Sequence, residues 1–270
     1  MKKVVLITGA STGMGRETAL LLARSGYTVY AAARRTALMQ DLIPEGIQVL
    51  SMDVTIDAQM VAGIDTIITR EGRLDILINN AGFGSYGAIE DVPMADAKYQ
   101  LDVNVFGAMR LVQLALPYMR NQGGGRIVNI SSIGGKIATP FGGWYHASKF
   151  ALEGLSDSLR NEVKPFNIAV IVIEPGGVKS EWGDIAARSL MKVSGNGVYK
   201  SMVERFAKAF EKTMHKNADP MVIAQLIKKA LQADRPKTRY HGGYMAGPIL
   251  AARKIFGDRM IDNVISSQLK

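Results

Sequence analysis

The chain has 270 residues, 47% of them hydrophobic, enough for one α/β domain, 1–270, burying about three quarters of its unfolded surface. It contains no cysteine, which excludes disulfide scaffolds and thiol chemistry, and no apolar stretch approaches the ~18 residues that span a bilayer. The 33 basic and 24 acidic residues give a formal charge of +9, but the basic residues are spread along the chain, so nucleic acid is not an expected partner.

After Lys2 and Lys3, the β-branched run Val4-Val5-Leu6-Ile7-Thr8 has the length of a buried strand. It breaks at Thr8-Gly9, short of the ~7 to 15 apolar residues of a signal peptide, so a cytoplasmic protein is expected. Gly9, Gly13 and Gly15 follow, spaced G-x-x-x-G-x-G, and lead into a helical run at 16–24 that stops at Gly26. Strand, glycine loop and helix in that order let a pyrophosphate approach the backbone at a helix N-terminus. The spacing departs from G-x-G-x-x-G, and a glycine turn that only redirects the chain is the alternative.

Further strands are predicted at 27–33, 48–52, 74–79, 126–131 and 168–173, separated by helices at 36–42, 57–71, 94–121 and 144–164. This alternation implies right-handed crossovers and a doubly wound parallel sheet in three layers, α/β/α, with ligands at the carboxyl ends of the strands. Those ends carry Thr8-Gly9, Asp53-Val54-Thr55, Asn79-Asn80-Ala81-Gly82, Ser131-Ser132 and Glu174-Pro175-Gly176-Gly177. The helix at 144–164 places Tyr145 and Lys149 at i and i+4 on one face, where a cation lowers the phenol from its usual ~10. Taken alone, the spacing is a weak signal, and a surface pairing is the favoured reading.

In this order the motifs resemble the short-chain dehydrogenase/reductase family. Thr8 to Gly15 match its TGxxxGxG motif, Asn79 to Gly82 its NNAG, Asn104 and Ser132 its isolated Asn and Ser, Tyr145 and Lys149 its YxxxK, and Pro175-Gly176 its PG. Ser132 stands 13 residues before Tyr145, as in the family. The likeness is detailed over residues 1–180 and loose beyond.

The resemblance implies a Rossmann-type fold and a tetrad of Asn104, Ser132, Tyr145 and Lys149. Tyr145 would be the general acid or base, and Lys149 would lower its pKa and bond the nicotinamide ribose. Ser132 would bond the substrate oxygen, and Asn104 would hold a water joining Lys149 to solvent. Gly9, Ser11, Thr12, Gly13, Met14 and Gly15 would bind the pyrophosphate, Asp53 and Val54 the adenine, and Asn80, Ala81 and Gly82 the region near the adenine ribose. Pro175, Gly176, Val178 and Ser180 would place the nicotinamide, and no metal is implied. Each residue also has a plainer reading: Asp53 as a helix cap, Asn79-Asn80 as a turn, Ser131-Ser132 as strand-ending hydroxyls.

The second predicted strand ends in Ala33, where enzymes that prefer NAD usually carry the carboxylate that binds the ribose 2′-hydroxyl, and Arg34 and Arg35 follow. A missing carboxylate and an adjacent guanidinium favour NADP(H) over NAD(H), carried mainly by Arg34. Two solvated arginines are the alternative.

Residues 178–217 contain a helical stretch at 198–215 and a Gly195-Asn196-Gly197 hinge, and suit either a substrate lid or a helix packed on the core. Phe83, Tyr86, Phe141 and Trp144 flank the catalytic motifs and favour a small hydrophobic carbonyl or alcohol, such as a steroid, retinoid or ketone, over a sugar phosphate. A helix at 219–233 and a strand at 238–240 precede a variable segment, 241–270, whose amphipathic part beyond Gly247 would pack on the core, extend the substrate pocket, join a subunit interface or touch a membrane surface. By analogy with the family, a homodimer or homotetramer is expected. The sequence is thus read as an NADP(H)-dependent oxidoreductase interconverting a carbonyl and an alcohol, the alternative being a nucleotide-binding regulatory protein without turnover. Retention of all four tetrad residues favours the enzyme.

Overall fold

A computed structural model describes residues 2–267, so Met1 and residues 268–270 of the predicted C-terminal segment lie outside the described residues. Strand β1 (Val4–Thr8) buries all five of its side chains. Successive side chains of a strand point to opposite faces. Val5 and Ile7 therefore join a core formed with helices α1 (Gly13–Arg24) and α8 (Met221–Gln232). Val4 and Leu6 join a second core, formed with α2 (Asp57–Glu71), α4 (Gly107–Asn121) and α5 (Gly143–Val163). The same alternation divides Ile76 and Ile78 from Leu77 on β4 (Ile76–Asn79), and Ile171 and Ile173 from Ile168 and Val170 on β6 (Ile168–Pro175). Both faces are covered, which is why these strands read as unbroken apolar runs.

The remaining strands are β2 (Thr28–Ala33), β3 (Gln48–Ser51), β5 (Gly125–Ile130) and β7 (Arg239–Gly242). Among the described residues, the seven strands form one sheet in the order β3-β2-β1-β4-β5-β6-β7, with every pairing parallel. The chain winds outward from β1 to β3 and returns to β4 on the other side of β1. This doubly wound Rossmann sheet opens a crevice at the carboxyl ends of β1 and β4. No described helix is long and apolar enough to cross a membrane.

Several boundaries differ from the sequence reading. The helix expected at 36–42 is a 3-10 helix, Thr36–Glu45, with Pro44 inside it. The continuous helix expected at 94–121 is α3 (Met94–Leu101) and α4 joined by a π-helical turn, Asp102–Phe106, that contains Asn104. Inside 178–217, a helix not anticipated, α6 (Trp182–Ser194), precedes the expected one, α7 (Lys200–Met214). The final helix, α9 (Ala246–Ser267), is broken at Gly257, whose φ of 71° and ψ of −169° are not helical.

Beneath β6 and β7 lies a knot of charge. Arg239 bonds Glu153 at 2.9 Å and Asp157 at 2.8 Å on α5 and stands 3.5 Å from Glu174, while Lys136 meets Glu153 at 2.9 Å. Glu153 and Glu174 are buried, so removing Arg239 leaves Glu153 with Lys136 alone and takes from Glu174 its nearest cation. Arg239→Ala is expected to lower unfolding free energy by roughly 3 kcal/mol in urea titration, and Arg239→Lys to recover only part of it.

Candidate active site

The crevice contains a cavity of about 880 Å³ that runs from the glycine loop to α9. Every residue assigned from the sequence to cofactor or chemistry lines it except Gly15 and Asn104.

At the nucleotide end, Gly9 has φ +65°, and a Cβ there would stand 2.7 Å from the Ala81 backbone. The ends of β1 and β4 are stitched together at this point. The Asn80 side-chain amide donates to the carbonyls of Thr8 (2.9 Å) and Gly9 (3.0 Å), and the Thr8 hydroxyl accepts the N–H groups of Asn80 (3.1 Å) and Ala81 (3.0 Å). Asn80 is thereby committed to shaping the loop. At Gly15 a Cβ would collide with Asn80 and the Gly9 carbonyl, so that glycine serves packing behind the loop. Thr12 begins α1 without giving its side chain to the helix, which leaves the first N–H groups without a side-chain cap. A glycine cradle at an uncapped helix start fits a pyrophosphate.

Two cations stand beside the loop in unequal positions. Arg34 donates to the Tyr99 hydroxyl at 2.8 Å and lies 3.9 Å from Asp53, with its side chain 63% exposed. Arg35, which the sequence reading left in second place, reaches over the loop to Ser11 (3.5 Å), Thr12 (3.4 Å) and Glu181 (2.7 Å). Asp53 accepts from the Thr55 N–H (2.9 Å) and hydroxyl (2.8 Å), fixing the turn after β3.

At the opposite wall, α5 buries Tyr145 and Lys149 on one face. The Lys149 ammonium donates to the Ile130 carbonyl at 2.8 Å and stands 5.9 Å from the Tyr145 ring centre. Burial pushes the phenol up from 10 to about 12, against a hydrogen bond to Ser132, and pulls the ammonium down to about 8, against the charge of Glu153. The phenol is raised, not depressed as expected from the i, i+4 spacing, because burial dominates and only the Ser132 hydrogen bond opposes it. The Ser132 hydroxyl accepts the Gly134 N–H at 3.0 Å and opens the turn Ile133–Gly135. Asn104 donates to the Phe83 carbonyl and to Ser148, both at 2.9 Å, and accepts the Phe83 N–H at 3.0 Å. A Cβ on Gly82 would lie 3.2 Å from Asn104 and 3.6 Å from Lys149, so two members of the tetrad flank this glycine.

His146, which the sequence reading passed over, accepts the Thr139 N–H at 3.0 Å with one ring nitrogen and faces the Gly134 carbonyl at 3.0 Å with the other. That pairing fixes a neutral tautomer whose role is to clamp the loop carrying Ser132. Behind Pro175, burial and the charge of Glu153 push Glu174 from 4.5 up to about 7, partly offset by Lys136 and Arg239. The folded chain keeps a proton that the unfolded chain surrenders, so this group's stabilisation is complete below 4.5 and lost as pH rises through about 7. Melting temperatures from roughly pH 5 to pH 8 should therefore fall more in the wild type than in Glu174→Gln.

The substrate end is aromatic. Trp182, the first residue of α6, packs 5.1 Å from Tyr145 and edge-on 5.7 Å from Tyr86. Hydroxyls on α6 pin the facing loop: Ser189 accepts the Tyr86 N–H at 3.2 Å and Ser194 that of Ala88 at 2.9 Å. The excursion through α6 and α7 leaves and returns at one place, where Lys179 donates to Ala218 (2.9 Å) and Ala218 to Gly177 (3.1 Å). Phe83 and Tyr86 line the cavity as expected, whereas Phe141 and Trp144 do not. Phe141, at φ +66°, instead backs Phe206 at 5.5 Å. Met214, Met245, Ile249 and Ile265 extend the wall toward α9.

A doubly wound sheet with a glycine cradle at its switch point defines a dinucleotide-binding protein. The family profile described as short chain dehydrogenase matches residues 3–188. A 3-ketodihydrosphingosine reductase of Bacteroides thetaiotaomicron is 35% identical over 269 residues, covering 99% of this chain and 97% of that protein. The 17-beta-hydroxysteroid dehydrogenase type 1 of Mus musculus is 33% identical over 251 residues, covering 88% and 72%. A crystallised short-chain dehydrogenase from Streptomyces avermitilis superposes with a TM-score of 0.82 at 32% identity, over 98% of this chain and 94% of that one. The chain belongs to the short-chain dehydrogenase/reductase family and is an oxidoreductase of the alcohol–carbonyl, NAD(P)-binding class.

Proposed function

We propose that the protein is an NADP(H)-dependent reductase that interconverts a hydrophobic carbonyl and its alcohol. One observation carries this reading: a single cavity joins the glycine cradle and two arginines to Tyr145 and then to an apolar chamber of Tyr86, Trp182, Phe206 and Phe210. Two relatives named for a sphingoid ketone and a steroid support an apolar substrate. For the phosphorylated cofactor the support is Ala33, where a carboxylate would repel a 2′-phosphate, beside Arg34 and Arg35.

When bound, the nicotinamide supplies the hydride to the carbonyl carbon. Tyr145 gives its proton to the carbonyl oxygen, and a phenol raised to about 12 is fully loaded at neutral pH. Ser132 donates to the same oxygen as charge develops there. Lys149, 5.9 Å from the Tyr145 ring centre, would restore its proton and bond the ribose. Pro175, Gly176, Val178 and Ser180 shape the nicotinamide floor. Asn104 acts from behind, holding Gly82 and Phe83 against α5. Residues 178–217 cover the reacting centre and keep water from it.

The reading is tested by following NADPH absorbance against long-chain ketones, steroid ketones and sugar phosphates. Turnover of an apolar ketone and none of the sugar phosphates is expected. NADPH binding without turnover of any carbonyl would return the protein to a non-catalytic role.

A further inference from the structure

The arginine above the glycine loop already holds an anion. Arg35 and Glu181 are paired at 2.7 Å, each with about half of its side chain exposed. The same Arg35 nitrogen lies 3.5 Å from the Ser11 hydroxyl and 3.4 Å from that of Thr12, and Thr12 in turn lies 3.5 Å from the Glu181 carboxylate. All four residues line the cavity, so the pair spans the mouth of the cradle described above. The segment carrying Glu181 rests on the loop: a Cβ on Gly13 would be 3.4 Å from the Ser180 side chain. Glu181 adjoins Trp182, which covers Tyr145 at 5.1 Å.

A guanidinium binds a carboxylate or a phosphate oxygen pair with the same planar fork, and it cannot serve both fully. A carboxylate held beside a pyrophosphate cradle also repels the incoming anion. Arg35 is the strongest influence holding the Glu181 carboxyl below its usual range.

We propose that Glu181 is a built-in competitor for Arg35, displaced when a phosphate of the cofactor enters, and that it thereby sets cofactor affinity. The inference rests on the NADP(H) reading and deepens it. It makes Glu181 an affinity-determining residue of the nucleotide half. Two phosphates of the cofactor share the required chemistry, the pyrophosphate and the 2′-phosphate.

The test is calorimetric titration of the full chain with NADPH and with NADH, in the wild type, Glu181→Gln, Arg35→Gln and the double variant. Glu181→Gln should tighten NADPH binding by roughly three- to tenfold at low salt, a gain that shrinks at high salt. Arg35→Gln should weaken binding, and the benefit of Glu181→Gln should vanish in its presence. Tightening for NADPH alone assigns the 2′-phosphate as the displacing group, and equal tightening for both nucleotides assigns the pyrophosphate. Unchanged or weaker binding of NADPH by Glu181→Gln overturns the inference while leaving the NADP(H) reading intact. A wild type that binds neither nucleotide overturns both.

Discussion

Tyr145→Phe is expected to lower kcat for carbonyl reduction by roughly two to four orders of magnitude, with NADPH affinity nearly unchanged. The substitution removes one oxygen from a ring already fixed on three sides. Trp182 lies 5.1 Å away, Tyr86 at 6.1 Å and His146 at 5.6 Å, so the cavity keeps its shape. A change in kcat without a change in nucleotide binding separates proton delivery from structure. The direction of catalysis gives a second check. Reduction needs the neutral phenol, which burial stabilises up to about 12, whereas oxidation of the alcohol needs the phenolate. The oxidative rate should therefore climb toward alkaline pH while the reductive rate does not. If Tyr145→Phe keeps wild-type kcat, the proton comes from elsewhere.

Ala33→Asp is expected to reverse cofactor preference, moving the NADPH to NADH ratio of kcat/KM by about a hundredfold or more. Ala33 is buried to 7% exposure at the end of β2, beside Arg34 and on the cavity wall. A carboxylate there would face a 2′-phosphate as a like charge and a 2′-hydroxyl as a hydrogen-bond acceptor. Arg34→Ala and Arg35→Ala apportion the effect. Arg34 was expected to dominate, yet its fork is partly engaged by Tyr99 and Asp53, whereas Arg35 lies over Ser11 and Thr12. The larger loss of NADPH selectivity is expected at whichever arginine yields its present partner more easily. Comparison of kcat/KM for both nucleotides in the two variants decides it, and a wild type that prefers NADH removes the premise.

The sheet was readable in the sequence because a strand buried on both faces must be apolar throughout, as Val4 to Ile7 and Ile168 to Ile173 are. The helix at 57–71 has the observed limits of α2, bounded by the turn at Asp53 and the left-handed Gly72. Asn104 was found as a motif residue, but its π-helical setting was not, since the turn is held by a contact with Phe83, 21 residues away. Helix α6 escaped notice although Trp182, Ala186 and Leu190 recur at helical spacing. Glycines and hydroxyls interrupt the pattern, and Ser189 and Ser194 bond a loop about 100 residues distant. The pairing of Arg35 with Glu181 spans 146 residues and leaves no local signal. The raised phenol of Tyr145 was likewise out of reach, because spacing reports the nearby cation while burial is a property of the whole assembly.

The central claim is that this cavity transfers a hydride to an apolar carbonyl while Tyr145 delivers the proton. The direct measurement is reduction of a turned-over hydrophobic ketone with NADPH deuterated at the transferring position of the nicotinamide, followed by mass analysis of the alcohol. Deuterium fixed at the carbinol carbon, with the label lost from the cofactor and the turnover abolished or greatly slowed in Tyr145→Phe, is the predicted result. An alcohol without deuterium, or an unconsumed cofactor in the presence of every apolar carbonyl, would contradict the account.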